Sequence, residues 1–316
     1  MDLLKELQGC RRILLTGHIR PDGDCIGSVM GLYMYLKKAM KDAVIIPMIE
    51  KPAPEFGCIR DIDMIQSDFK SDITEFDAFI GLDSSSSDRY GEALKYFDSA
   101  KKRIIIDHHV SNDGFGDVCC IDPEASSTCE LLLGLMDEKL LDKDIAVAIY
   151  IGIIHDTGVL RFSNVKPETL NACAKLISYG FDYPRIIDET YYEKTRIQNE
   201  MLGRALVESI MFMDGKCIVS KIDQDTMDFY GATPHDLEGI VNQLKNTKGV
   251  EVAIFMYELA PQSYKVSLRS SGNVDVSKIA KFYNGGGHVR AAGFSMNGTF
   301  HDVVNNLSDS IAMQLN

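Results

Sequence analysis

Cationic residues are scarce in this sequence: 33 Lys and Arg stand against 46 Asp and Glu, a formal charge of −13 over 316 residues. A field of that sign repels a long polyanion, which argues against duplex DNA or long RNA as the main partner. A short nucleotide stays within reach if cations are concentrated locally, as metal ions or as a few arginines. Membrane-length apolar runs are also missing. Stretches such as Ile145 to Ile154 stop well short of the ~20 residues a bilayer requires, and Met1-Asp2-Leu3-Leu4-Lys5-Glu6 has no signal-peptide pattern. A soluble, cytoplasmic protein with no membrane partner is the expectation. The eight cysteines form neither CxxC pairs nor a dense spaced framework, so reduced core thiols are expected in place of a disulfide scaffold. There is no internal repeat and no low-complexity tract.

What is present is a chain long enough for two cores, 45% hydrophobic and 25% charged. Residues 12 to 17, 77 to 83 and 102 to 107 are short β-rich apolar runs that each end in a polar cluster, the pattern of buried parallel strands. Helical periodicity lies between and after them, at 28–41, 87–97, 126–138, 142–155 and 167–179, the last closed by Gly180. Alternating strands and helices imply right-handed βαβ units. From Tyr183 to Phe212 the pattern is helical and charged. Beyond it come strands at 216–222, 250–259 and 263–270, helices at 234–246 and 275–283, and a glycine cluster at 285–287. The expected fold class is α/β: an N-terminal, mostly parallel-sheet domain over 1–187, a connecting segment over 188–200, and a smaller α+β domain over 201–316, with the active site in the cleft between them.

The first strand runs into His18-Ile-Arg-Pro-Asp22-Gly-Asp24, the second ends in Asp83, and the third ends in Asp107-His108-His109. In an open α/β sheet, the crevice beyond the carboxyl ends of the strands is where ligands sit. A fourth cluster, His155-Asp156-Thr157-Gly158, closes an apolar helical stretch. Any one of these reads equally well as a helix cap or a satisfied histidine. Their convergence on one edge does not, because neighbouring aspartates resist ionisation unless cations offset them. Asp and His without Cys suit Mn²⁺, with Mg²⁺, Co²⁺ or Zn²⁺ as substitutes. Serines 84 to 87 read as a polar turn opening a helix, since no general base is linked to them.

These segments resemble the four motifs of the DHH phosphoesterases, a group that includes RecJ exonucleases, family II inorganic pyrophosphatases, nanoRNase/pAp phosphatases and cyclic-dinucleotide phosphodiesterases. Further on, Arg269-Ser270-Ser271, Asp275-Val276-Ser277 and Gly285-Gly286-Gly287-His288-x-Arg290-Ala291-Ala292-Gly293 resemble the DHH-associated C-terminal domain. The resemblance implies one metal held by His18, Asp22 and Asp83, and a second held by Asp24, Asp83, His108 and Asp156. It implies further that Asp107 orients an imidazole and that His109 faces the substrate phosphate or leaving oxygen. Arg20, Arg269, Ser270, Gly285, Gly286, Gly287, His288 and Arg290 would bind substrate. Asn284 stands where the family often has a fourth glycine, and asparagine tolerates the left-handed backbone such a turn needs.

Hydrolysis by a hydroxide activated between two metals is the implied reaction. The GGGH signature weakens the pyrophosphatase reading, and the absence of extra binding modules or of a strongly basic groove with interleaved aromatics weakens the RecJ reading. Short RNA of two to five nucleotides and 3′-phosphoadenosine 5′-phosphate (pAp) are the leading substrates. Cyclic di-AMP or its linear product pApA is the alternative, and a nucleotide-binding regulatory protein on the same fold is the non-enzyme alternative. Members of the resembled family are often homodimers, and an apolar helical surface at 142–154 could serve that purpose, although core burial explains those residues equally well.

Overall fold

A computed structural model describes residues 1–315 and divides into two compact units, Met1–Glu193 and Lys194–Asn316. In the first, β1 (Arg12–Thr16), β2 (Val44–Pro47), β3 (Ala78–Leu82), β4 (Arg103–Asp107) and β5 (Val118–Ile121) form one parallel sheet in the order β2-β1-β3-β4-β5. Thr16 lies opposite Gly81 and Leu82 opposite Ile106, so the chain leaves all three central strands along the same edge.

Alternate strand residues bury on opposite faces of this sheet. Ile13, Leu15, Ile80, Leu82, Ile104 and Ile106 join a core with the Gly23–Ala39 and Lys143–Asp156 helices. Leu14, Phe79 and Ile105 pack on the other side against Phe76, Tyr90, Tyr96 and Phe97. The Lys143–Asp156 helix is apolar all round and buried from Ile145 to Ile154, which places it inside the core and not on a surface. Each fully buried isoleucine there contributes about 1.5–3 kcal/mol relative to exposure. No helix among the described residues is long and apolar enough to cross a membrane.

The second unit carries β6 (Ile210–Phe212), β7 (Cys217–Ile222), β8 (Val252–Ala260), β9 (Ser263–Ser270), β10 (Gly286–His288) and β11 (Ala291–Asn297) in the order β10-β11-β9-β8-β7-β6. All pairs are antiparallel except β7 with β8. Alternate residues of β9 bury against the Val276–Phe282 and Phe300–Leu315 helices. This is the α+β mixture the sequence predicts.

Three local expectations are corrected. Ile210–Phe212 is a strand, because a left-handed turn at Met213, Asp214 and Gly215 folds it back onto Cys217–Val219. The 87–97 helix is mostly 3₁₀ and is broken at Gly91 (φ 54°), leaving an α turn only at Leu94–Phe97. The 234–246 helix is split by Gly239 (φ 83°) into a 3₁₀ turn, Pro234–Leu237, and an α-helix, Ile240–Lys245. The segment 188–200 is itself structured: Asp188–Tyr192 is a π-helical turn of the first unit, and the Arg196–Val207 helix opens the second.

Candidate metal centre

His18 and Asp22 lie just beyond β1, Asp83 just beyond β3, and His108 and His109 follow Asp107, the last residue of β4. The shared strand edge therefore brings them together without further design. Asp22 caps the Gly23–Ala39 helix, accepting from the amides of Asp24 and Cys25 at 3.1 Å each, which fixes Asp24 in the first helical turn. Asp156 arrives from the last turn of the Lys143–Asp156 helix. Two glycines keep these elements close: a Cβ on Gly23 would lie 2.3 Å from His155 Cγ, and one on Gly152 would lie 2.7 Å from an Asp24 carboxylate oxygen.

Asp83 is the common member. Its carboxylate oxygens stand 3.4 Å from His18 Nε2, 3.6 Å from His108 Nε2 and 3.8 Å from His109 Nδ1, and one of them accepts from the Thr128 hydroxyl at 3.1 Å. Its backbone is left-handed (φ 51°), a conformation Asp and Asn adopt more readily than other side chains do. Around His108 Nε2 stand Asp156 at 3.0 Å, Asp83 at 3.6 Å and Asp24 at 4.0 Å. His18 Nε2 lies 3.7 Å from Asp22, and its Nδ1 lies 2.9 Å from the Ile19 carbonyl. A proton at Nδ1 satisfies that carbonyl and leaves Nε2 free as a ligand atom.

Burial drives the Asp24 carboxyl well above the usual carboxylate range, and the charges of Asp83 and Asp156 add to it. Burial likewise raises Asp156, against the pull of His108. Burial opposes protonation of His18, yet Asp22 and Asp83 outweigh it and hold the imidazole up at about 10. His108 is held at about 10 in the same way, by Asp156, Asp24 and Asp83 against its burial. Asp22 is kept down to about 2, the hydrogen bond and charge of His18 and the two helix amides overcoming its burial. A buried cluster that must draw protons onto its imidazoles to balance its carboxylates is one with a demand for cations.

The donor set fits divalent metal. Asp24, His108 and Asp156 form one candidate group, and Asp83 links His108 to His18. Cys25 also lies near His18 and Asp83, but burial raises its thiol well above the ordinary range and its Sγ–H points to the His18 carbonyl, so it stays a neutral core thiol. His109 differs from the other two imidazoles. Its Nδ1–H donates to Asp107 at 2.7 Å, and that hydrogen bond, with the Asp107 charge, raises its pKa against its burial. Asp107 stays below the usual range despite its burial, held by His109 and by the Asn112 amide.

The family model for the DHH family N-terminal domain matches residues 12–153, and that for the DHHA1 domain matches residues 214–316. The chain belongs to the DHH family of phosphoesterases. This DHH protein is 29% identical over 300 residues to the bifunctional oligoribonuclease and PAP phosphatase NrnA of Thermus thermophilus, a match covering 94% of this chain and 87% of that protein. It is 28% identical over 300 residues to the protein of the same name from Bacillus subtilis, over 93% and 92%. Among solved structures, an exopolyphosphatase-related protein from Bacteroides fragilis matches with a TM-score of 0.89 at 26% identity, across 98% of this chain and 94% of that one. Membership of the DHH family implies dependence on divalent metal, in keeping with the donor set.

Arg20 is exposed in the DHH domain, with a left-handed backbone whose amide donates to Glu50 at 2.6 Å. In the DHHA1 domain, Asn284 takes the left-handed turn (φ 58°), and Gly286–His288 pairs with Ala291–Gly293, exposing His288 and Arg290. Gly285 sits tight against this hairpin, where a Cβ would lie 2.3 Å from the Gly293 carbonyl oxygen. Arg269 is half-buried and donates to Asn242 Oδ1 at 2.9 Å, and burial lowers its pKa. Ser270 is buried, its hydroxyl donating to the Val274 carbonyl at 2.7 Å.

Three contributors lie outside the residues that the sequence pattern singles out. The amides of Thr128 and Cys129, at the start of the Thr128–Leu135 helix, donate to the two oxygens of Asp24 at 2.7 and 2.9 Å. The signal was there: Ser127-Thr-Cys-Glu130 has the S-x-x-E spacing of a helix start, and the Ser127 hydroxyl accepts from the Glu130 amide. Asn112, whose amide donates to Asp107 at 2.8 Å and to the Ser84 carbonyl at 3.1 Å, carried no motif.

Proposed function

We propose that this DHH phosphoesterase hydrolyses short oligoribonucleotides and pAp to mononucleotides. The observation that carries this reading is Asp83, one buried carboxylate facing three imidazoles, each of which has at least one further carboxylate beside it. Such a shared carboxylate suits a pair of divalent ions, with His18, Asp22 and Asp83 on one and Asp24, Asp83, His108 and Asp156 on the other. Bound there, the ions would offset the acidic cluster and supply the Lewis acidity that makes phosphorus open to water; Mn²⁺ is the first candidate.

The chain's own groups handle the rest. Asp107 holds the His109 proton at Nδ1 and favours the imidazolium, so His109 can give a proton from Nε2 to the departing oxygen. Asn112 keeps the Asp107 carboxylate turned toward His109. The Thr128 hydroxyl steadies Asp83. In the DHHA1 domain, the Gly285–Gly287 backbone, His288, Arg290 and Arg269 would anchor a substrate phosphate, and the names of the relatives from Thermus thermophilus and Bacillus subtilis support this substrate class. The test is turnover with Mn²⁺ on pAp, pApA, cyclic di-AMP and RNAs of two to twenty nucleotides. The expected order places pAp and two-to-five-nucleotide RNA first; cyclic di-AMP or twenty-nucleotide RNA in front would refute it.

A further inference from the structure

We propose that the outward face of the Val276–Phe282 helix is a subsite for an additional nucleotide of the substrate, with Phe282 as its base-stacking platform. The inference rests on the oligoribonuclease reading above and names what distinguishes RNA from pAp. Val276, Ile279 and Ala280 are buried at helical spacing, which turns Lys278, Lys281 and Phe282 outward. Phe282 is 77% exposed in the last turn, three residues before Gly285 of the glycine hairpin.

The ring is braced. It meets Tyr283 edge-on at 5.0 Å, and Tyr283 is in turn stacked on Phe294 at 5.0 Å and 22°. A platform on such a support loses little freedom when a base settles on it. Its electrostatic setting also departs from that of the chain. From Arg269 to Arg290 the cations are Arg269, Lys278, Lys281 and Arg290 and the only acid is Asp275, in a protein whose acids otherwise prevail. Asp275 caps the helix and lies 3.8 Å from Lys278, leaving Lys281 and Arg290 without a carboxylate of that segment beside them in sequence.

Phe229 supplies the contrast. It is 81% exposed and also rests edge-on against a tyrosine, Tyr230, at 4.9 Å, but Asp225 and Asp228 flank it. Phosphates are repelled there and attracted at Phe282. Aromatic stacking with nearby cations is sequence-tolerant, as suits mixed RNA fragments.

The test uses the full-length protein and compares wild type with Phe282→Ala, Phe282→Tyr and Phe229→Ala. Substrates are pAp, a trinucleotide RNA and the same trinucleotide with one abasic position, and anisotropy of a labelled trinucleotide on metal-free protein is read in parallel. Phe282→Ala is expected to lower kcat/KM for the trinucleotide about tenfold, mainly through KM, the loss expected for one stacked base. Turnover of pAp should hold, Phe282→Tyr should restore most of the loss, and Phe229→Ala should change nothing. An unchanged trinucleotide kcat/KM in Phe282→Ala, or an equal loss on pAp, overturns the subsite. Wild-type protein that binds the trinucleotide without cleaving it overturns the oligoribonuclease reading alone, and the comparison is then decided by the anisotropy; failure to bind overturns both.

Discussion

Replacing Asp83 with asparagine removes a negative charge and very little else. The backbone there is left-handed, which Asn tolerates as Asp does, whereas Ala would add strain of about 1–2 kcal/mol. The amide oxygen can still accept from the Thr128 hydroxyl. What is lost is the one carboxylate that faces both His18 and His108. A charge pair about 4 Å apart is worth about 4 kcal/mol at an effective dielectric of about 20, and about 1.4 kcal/mol is a factor of ten. Metal affinity in Asp83→Asn should therefore fall by about two to three orders of magnitude at both positions, and turnover with it. Metal content after dialysis and Mn²⁺-dependent kcat/KM measure this. The metal-free protein gives a second readout. His18 and His108 titrate near 10 when folded, above the ordinary histidine value of about 6.5, so their contribution to stability is complete below that value and is lost as pH rises toward 10. In the chelated protein, Tm should decline over that window, and less steeply in Asp83→Asn. A folded variant with Mn²⁺-dependent turnover within about threefold of wild type and two ions bound would refute the shared-carboxylate argument.

Asn112→Ala frees the Asp107 oxygen that the amide now holds at 2.8 Å, so kcat should fall about 10- to 100-fold while the Mn²⁺ requirement is unchanged; an unaltered kcat would remove Asn112 from the positioning of His109. Gly23→Ala would drive a Cβ to 2.3 Å from His155 Cγ and displace the turn carrying Asp22 and Asp24, costing about 1–3 kcal/mol and weakening metal binding by calorimetry. Asp77 is held below its ordinary value by the Lys101 hydrogen bond and the Arg11 amide, so its stabilising effect is present above about pH 4 and lost as pH falls further. Because Lys101 is 61% exposed and screened, Asp77→Asn should cost only about 1 kcal/mol at pH 7 in urea titrations, with a smaller difference at pH 3.

The three central strands were legible because each is a continuous apolar run closed by polar residues, and their common edge followed from parallel pairing. That edge also placed His18, Asp83 and Asp107 together. Asp156 was legible as the end of an apolar helix. The flanking strands β2 and β5 are four residues each, too short to register as periodic signals, although Val44-Ile-Ile-Pro47 is strongly β-prone. Ile210–Phe212 sits where helical charge patterning gives way to a turn, and three residues cannot announce that change. The helices at 87–97 and 234–246 fail at single glycines that periodicity treats as neutral. The Thr128 and Cys129 amides reach Asp24 across 104 and 105 residues, a contact that exists only once distant segments have met, whereas Asn112 lies five residues from Asp107 but belongs to no recognisable motif.

The hold on Asp24 has a bearing on how the protein is made. Its two oxygens are gripped by amides 104 and 105 residues further along, and the histidine nearest to it answers to Asp156, later still. A growing chain that has emerged only through His18 and Asp24 owns a few of the proposed ligands with nothing to fix them. Loop closure over such separations is slow and comes late in folding. On the proposed ligand set, high-affinity capture of metal would belong to a chain synthesised past residue 156, and the ion would follow the fold where in many small metal proteins it leads it.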